Sequence, residues 1–342
     1  MFDFRIKKRK TIYIHIGFMK TGTSAIQSFL KTNKIFLEKK GFYYPTINVE
    51  AMNHLGFSLL ENIPSKIHHI LPISRENLYE KLKNEIKKTK LNKIILTTEA
   101  YSLITTDSFL GEDAPKLLSE ILGCENYEFK ILTFIRRQDE YLESQYNQHI
   151  KTHNFWNLYT KDIHAFYEEK RELLNFNMVI ERWSKYFGEK NLLVKVYDEK
   201  TNSVSDFLEL LGIKEKPNIN ILDRTINQKL SFKALEFMRL ANKSEIKKEE
   251  AIENYHLVEL IESALGNVKS SYKLLTTEEA SKVMEDCLEE NTILSKKYLD
   301  NDITWCLPNK KYNRIDSNIN KLTKEDCVKV ATYIWNYFSN KK

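Results

Sequence analysis

The first hydrophobic pattern is a run of β-branched and aromatic residues over 11–17, charged on one side and closed by Gly17. Such a run reads as a strand. Residues 23–40 follow with Ile26, Phe29, Leu30 and Leu37 at helical spacing, which predicts an amphipathic helix. The alternation then repeats. Leu78, Leu82 and Ile86 recur every four residues behind Ser74, so 74–90 is a second helix with a capping residue at its start. Residues 93–98 read as a short buried strand, 113–122 as a helix with Pro115 in its first turn, and 129–135 as another strand. A helix over 138–151, a strand over 191–197 and a helix near 203–211 complete the alternation.

Connections of this length between strands are crossovers, not hairpins. They predict a parallel sheet covered on both faces, with ligands bound at the carboxyl ends of the strands. Beyond residue 225 the periodicity is helical only, over 230–242, 247–265, 276–300 and 323–339. The stretch 214–220, with Pro217 and two asparagines, is the expected boundary. It divides an α/β core, 1–215, from a mostly helical C-terminal region, 216–342, which can belong to the same domain.

Composition narrows the partners. The 342 residues are 42% hydrophobic, enough for a sizeable core. A net charge of +6, from 53 basic and 47 acidic residues, is a mixed surface rather than a basic stripe, so no nucleic-acid partner is expected. No stretch approaches the roughly eighteen apolar residues of a membrane span. The run at 11–17 is too short for a signal-peptide core. A cytoplasmic protein without a transmembrane segment is expected. Cys124, Cys287, Cys306 and Cys327 are scattered without zinc spacing and read as free thiols in a reducing compartment.

Glycine is scarce, nine in all. Only Gly17 and Gly22 lie within ten residues of each other, between a predicted strand and a predicted helix: Gly17-Phe18-Met19-Lys20-Thr21-Gly22-Thr23-Ser24. This is the glycine spacing of a loop whose backbone N–H groups and helix N-terminus enclose a phosphate. The expected fold is therefore α/β, a P-loop-like parallel sheet flanked by helices with a mostly helical C-terminal part. In nucleotide hydrolases the lysine follows the second glycine; here Thr23 stands there and the lysine is Lys20. The displacement suits a shorter anion, one phosphate bearing the group to be transferred.

Lys20 to Ser24 after this strand resemble the 5′-phosphosulfate-binding motif of sulfotransferases that use 3′-phosphoadenosine 5′-phosphosulfate (PAPS). In that family an arginine at a strand end and a serine eight positions later bind the 3′-phosphate. Arg136 and Ser144 have that spacing after the 129–135 strand, with Arg137 an immediate alternative. A guanidinium offers phosphate a two-pronged fork.

The resemblance implies cofactor binding by Lys20, Thr21, Gly22, Thr23, Ser24, Arg136 and Ser144. Lys20 would act on the leaving phosphate and a base would act on the acceptor, with no metal. Glu99, after the 93–98 strand, is similar to the catalytic glutamate of glycan-modifying members; His54 is the analogue of the histidine used by small-molecule members. Arg224, in Asp223-Arg224-Thr225-Ile226-Asn227, resembles a segment of bacterial polysaccharide sulfotransferases and is a further candidate contact to PAPS or acceptor. Glu290, Asn291, Ser295 and Tyr298 are similar to a late pattern of those enzymes, with helix packing the alternative.

The implied partner is an acceptor hydroxyl or amine, on a glycan or glycolipid. The alternatives are a P-loop kinase or nucleotide hydrolase, and a non-catalytic glycan-binding protein that keeps the fold. His15, between isoleucines on the first strand, reads as a core residue. His68 with His69, and His149 with His153, lack further ligands for a metal. Phe42, Tyr43 and Tyr44, and Phe155, Trp156 and Tyr159, read as core aromatics, with a sugar-facing surface the alternative.

Overall fold

A computed structural model describes residues 9–46, 55–60, 74–151, 158–215, 229–244, 251–265, 272–308 and 322–340. Five strands form one parallel sheet: β1 (Lys10–His15), β2 (Phe42–Tyr43), β3 (Lys93–Thr97), β4 (Tyr127–Ile135) and β5 (Leu192–Val196), in the order β2-β3-β1-β4-β5. Central β1 buries Ile12 and Ile14 completely on one face and carries Thr11, Tyr13 and the buried His15 on the other. Its partners are in register, with His15 opposite Thr97 of β3 and Leu132 of β4. From β1 the chain crosses to the edge strand β2, returns inward to β3 beside β1, and then builds outward on the other side through β4 and β5. The direction switches between β1 and β4, where an open α/β sheet leaves a crevice at its carboxyl ends.

The first half carries helices α1 (Thr23–Thr32), α2 (Lys34–Lys39), α3 (Arg75–Lys88), α4 (Ala100–Ile104), α5 (Asp113–Leu122) and α6 (Gln138–Lys151). Then come α7 (Ile163–Glu169), α8 (Phe176–Phe187), α9 (Ser203–Leu210) and α10 (Phe232–Ala241). The rest are α11 (Ala251–Ala264), α12 (Thr277–Asp286), α13 (Leu288–Tyr298) and α14 (Lys324–Ser339). The C-terminal part is thus helical, as its periodicity predicts.

Several boundaries differ from the sequence expectation. The helix expected over 23–40 is two: Asn33 leaves helical geometry and its side-chain amide donates to the Phe29 carbonyl at 3.0 Å. The helix expected over 276–300 breaks at Cys287 into α12 and α13. β2 adds a fifth strand, too short to show a period. α8 lies in a region where no element was expected. Asn175 caps it through the Met178 N–H, and Phe176, Val179, Ile180, Trp183 and Phe187 form its buried stripe. The aromatics at 42–44 follow the core reading in part: Phe42 and Tyr44 are buried. Pro217, Phe155 and Trp156 lie outside the described residues.

Contacts group the chain into two compact units, each discontinuous in sequence. The first comprises Met1–Arg136, Asn175–Asp223 and Leu288–Trp305 and holds the whole sheet. In it α13 packs on α8. Asn177 donates to Glu290 at 2.7 Å, Lys297 pairs with Glu181 at 2.8 Å, and the Tyr298 hydroxyl donates to Glu181 at 3.2 Å. Trp305 Nε1 donates to the Ser295 hydroxyl at 2.9 Å. The late segment therefore forms helix packing.

The second unit comprises Arg137–Leu174, Arg224–Cys287 and Cys306–Lys342. Two buried polar residues of its α6, Glu143 and Asn147, are partnered. Glu143 accepts from the Leu274 and Leu275 N–H groups at 2.7 and 3.1 Å and pairs with Lys229 at 3.3 Å. Asn147 donates to the Tyr272 hydroxyl, which donates to the Leu230 carbonyl at 2.6 Å. Among the described residues no helix is long and apolar enough to cross a membrane.

Trp183 anchors α8 to the sheet unit. It is fully buried, stacks on Phe187 at 5.3 Å and donates Nε1–H to the Thr105 hydroxyl at 3.0 Å. Trp183→Ala leaves a large cavity and removes one of the two hydrogen bonds of the Thr105 hydroxyl, which still donates to the Tyr101 carbonyl. It is expected to cost about 3–5 kcal/mol in urea unfolding; a loss under about 1 kcal/mol would mean that α8 is not anchored there.

Candidate functional site

The loop after β1 is shaped by backbone that side chains rarely allow. Gly17, Lys20 and Gly22 have φ of +31°, +64° and +83°. A Cβ at Gly17 would sit 2.6 Å from Thr23 Cγ2, and one at Gly22 would sit 2.5 Å from Ser203 Cβ. Both positions therefore require glycine for space as well as for conformation. The Thr21 hydroxyl donates to the Phe18 carbonyl at 2.6 Å and closes the turn from inside. α1 follows with Gly22 as its N-cap and no side-chain cap, and the Ala25 N–H donates to the Gly22 carbonyl at 3.1 Å.

Two further strand ends deliver charge to the loop. At the end of β3, the Thr98 N–H donates to the His15 carbonyl at 3.1 Å and the Ser102 hydroxyl donates to the Gly17 carbonyl at 2.6 Å. These bonds bring Glu99 beside α1, where it accepts the Thr23 hydroxyl at 2.6 Å. At the end of β4, buried Arg136 donates Nη1 to the Lys20 carbonyl at 3.4 Å and Nη2 to the Glu199 carboxylate. Its guanidinium lies 5.4 Å from the Tyr197 ring centre. Tyr197 is held by its N–H on the Ile135 carbonyl at 2.7 Å.

Burial pushes the Lys20 ammonium below its ordinary value. Arg136 pushes the same way, while Glu99 and Glu199 oppose it. Four charged groups from the ends of β1, β3, β4 and β5 thus feel one another.

The structure brings together Lys20, Thr21, Gly22, Thr23, Glu99 and Arg136, with Ser24 exposed on the first turn of α1. Arg137 is engaged elsewhere, donating to Asp139 at 3.0 Å and to the Leu307 carbonyl at 2.9 Å within the second unit. Ser144 is half-buried two turns into α6, also in the second unit. His54, His68, His69, His153 and Arg224 lie outside the described residues. His149 is buried with Nδ1 on the Gln145 carbonyl at 2.8 Å. Among the described residues no group of three or more His, Cys, Asp or Glu is arranged to hold a metal ion.

Glu199 and Tyr197 are participants that the motifs do not name. The signal for them is topological: both follow β5, and in a parallel sheet residues just past a strand's carboxyl end face the ligand crevice.

No family model matches the chain. An uncharacterized protein of Archaeoglobus fulgidus is 26% identical over 214 residues, covering 57% of this chain and 53% of the relative. The chain therefore spans about half the length of that relative. A sulfotransferase from Alicyclobacillus acidocaldarius overlays with a TM-score of 0.40 at 15% identity, covering 69% of this chain and 94% of the other.

His15 underlies the loop. It is buried between the Phe207 and Phe134 rings, with Nδ1 sharing a hydrogen bond with the Thr97 hydroxyl at 2.9 Å. Nε2 has no hydrogen-bond partner among the described residues. Burial pushes this imidazole down from 6.5 to about 3. Below pH 6.5 the unfolded chain takes up a proton that the folded chain refuses. The contribution of His15 is thus fully present above that value and is lost as pH falls towards 3, by about 1.4 kcal/mol per pH unit. Between pH 7 and pH 5 the wild type should lose about 2 kcal/mol more unfolding free energy than His15→Asn. Equal losses in urea titrations would show that His15 is not buried neutral.

Proposed function

We propose that this protein is a sulfotransferase that moves the sulfuryl group of PAPS to an acceptor hydroxyl by direct in-line transfer. The observation that carries the reading is the meeting of Lys20, Glu99 and Arg136 at one loop, from three different strand ends. Each is the residue that the family resemblance assigns a separate role.

The first-turn amides of α1 and the loop backbone would hold the 5′-phosphate. Lys20, already among charged neighbours, would neutralise negative charge building on the oxygen between phosphorus and sulfur. Arg136, whose planar fork matches phosphate geometry, would hold the 3′-phosphate. Glu99 would accept the acceptor's proton. Its bond to the Thr23 hydroxyl keeps the carboxylate at the start of α1. That bond also bears on the rival reading as a nucleotide hydrolase, because Thr23 occupies the place of the hydrolase lysine and is committed to a carboxylate. The glutamate and the polysaccharide-type resemblance favour a carbohydrate or glycolipid acceptor.

Calorimetric titration with adenosine 3′,5′-bisphosphate tests the site. Lys20→Ala and Arg136→Ala should each weaken binding at least about tenfold, as expected for a charge-assisted hydrogen bond worth about 1.5–3 kcal/mol. Unchanged affinity in both variants would overturn the assignment.

Transfer of radiolabelled sulfate from PAPS, screened against envelope glycan fractions and small phenols, tests the reaction. Glu99→Gln should lower kcat by about 10²–10⁴-fold while bisphosphate affinity changes little. Unaltered kcat would remove Glu99 as the base.

A further inference from the structure

We propose that Glu199 is an internal competitor for the anion site: its carboxylate occupies Arg136 in the ligand-free protein and must be displaced by the incoming phosphate. The proposal rests on the sulfotransferase reading only for which phosphate arrives, not for the competition itself.

The Arg136 side chain is 9% exposed, and that of Glu199 is 65% exposed. A guanidinium so deeply buried needs an anionic partner, because an uncompensated buried charge is costly. Two of its neighbours are fixed. The Lys20 carbonyl belongs to the strained loop, and Tyr197, whose ring lies beside the guanidinium, is tied to β4 through its backbone N–H. Glu199 differs from both, since its carboxylate reaches the fork from a solvent-exposed turn.

That turn does not depend on the Glu199 side chain. Asp198 accepts the Lys200 N–H at 2.8 Å, and the Asp198 carbonyl accepts the Thr201 N–H and hydroxyl at 3.1 and 3.0 Å. The carboxylate can leave Arg136 while the turn stays in place. A carboxylate and a phosphate present similar paired oxygens to a guanidinium, so the two compete for one fork. A dianion gains more from Arg136 and Lys20 than a monoanionic carboxylate does. The competitor thus makes the site select for multiply charged groups.

Charge balance supports the exchange. Lys20 and Arg136 face Glu99 and Glu199, so cations and carboxylates are matched two against two before any ligand arrives. A phosphate that entered with Glu199 still in place would add its charge beside an existing carboxylate. Departure of Glu199 into solvent removes that repulsion.

The experiment compares wild type, Glu199→Gln, Arg136→Ala and the double variant by calorimetric titration. The probes are inorganic sulfate, adenosine 3′,5′-bisphosphate and adenosine 5′-monophosphate. Glu199→Gln should bind sulfate and the bisphosphate about fivefold more tightly, as loss of a modest ion pair implies. Adenosine 5′-monophosphate, which has no 3′-phosphate for Arg136, should gain less than the bisphosphate, because Glu199 acts on Lys20 only at a distance; an equal gain would overturn the proposal. The gain should vanish when Arg136→Ala is added.

If sulfate binding tightens through Arg136 but neither protein binds the bisphosphate, the competitor stands and the PAPS reading falls. If wild type binds the bisphosphate and Glu199→Gln binds neither sulfate nor bisphosphate more tightly, the competitor falls and the PAPS reading stands. A gain that survives Arg136→Ala also overturns the proposal. Thermal unfolding of each variant confirms that affinities are compared between folded proteins.

Discussion

The geometry of the site depends on a backbone constraint, the positive φ angles at Gly17, Lys20 and Gly22 within six consecutive residues. Two of them are glycines and bear this conformation at little steric cost. Lys20 is not, and a side chain in the left-handed region costs about 1–2 kcal/mol. That strain is held by bonds around the loop, from the Thr21 hydroxyl on the Phe18 carbonyl to Arg136 on the Lys20 carbonyl itself. The same curled backbone also offers Arg136 its inner acceptor. Shape and charge at this corner are consequently one property.

Several charges that would repel or remain unpaired alone are mutually supported here. Lys20 is weakened as a cation by burial and by Arg136, and sustained by Glu99 and Glu199. Glu99 is tied in turn to α1 through Thr23. The sheet makes this possible because parallel strands deliver all their carboxyl ends to one edge. β1, β3, β4 and β5 each contribute one charged residue beyond the strand, two cations and two carboxylates.

Much of this was legible in the residues. The β-branched run before Gly17, the rarity of glycine, and the strand-end positions of Glu99 and Arg136 all carry periodic or compositional signals. The breaks at Asn33 and Cys287 were not legible, because apolar spacing continues across both while the backbone leaves the helix. α8 does show helical spacing from Phe176 to Phe187 behind an asparagine cap, although the strand alternation around it gives no pointer to it. Glu199 had no signal of its own. A carboxylate in a turn resembles any solvated residue until the sheet order brings β5 beside β4 and sets that turn next to Arg136.

The interleaving of the two units has a consequence for how the protein is made. The sheet is finished by β5 near residue 196, yet its unit also needs α13 and Trp305, which close against α8 and Ser295. During synthesis the chain must lay down most of the second unit's residues, including α6, α10, α11 and α12, before that closure can occur. The strand ends that carry Lys20, Glu99 and Arg136 are therefore translated early, while the packing that completes their unit arrives late. The site-bearing unit reaches its full contact set only once residue 305 has been translated.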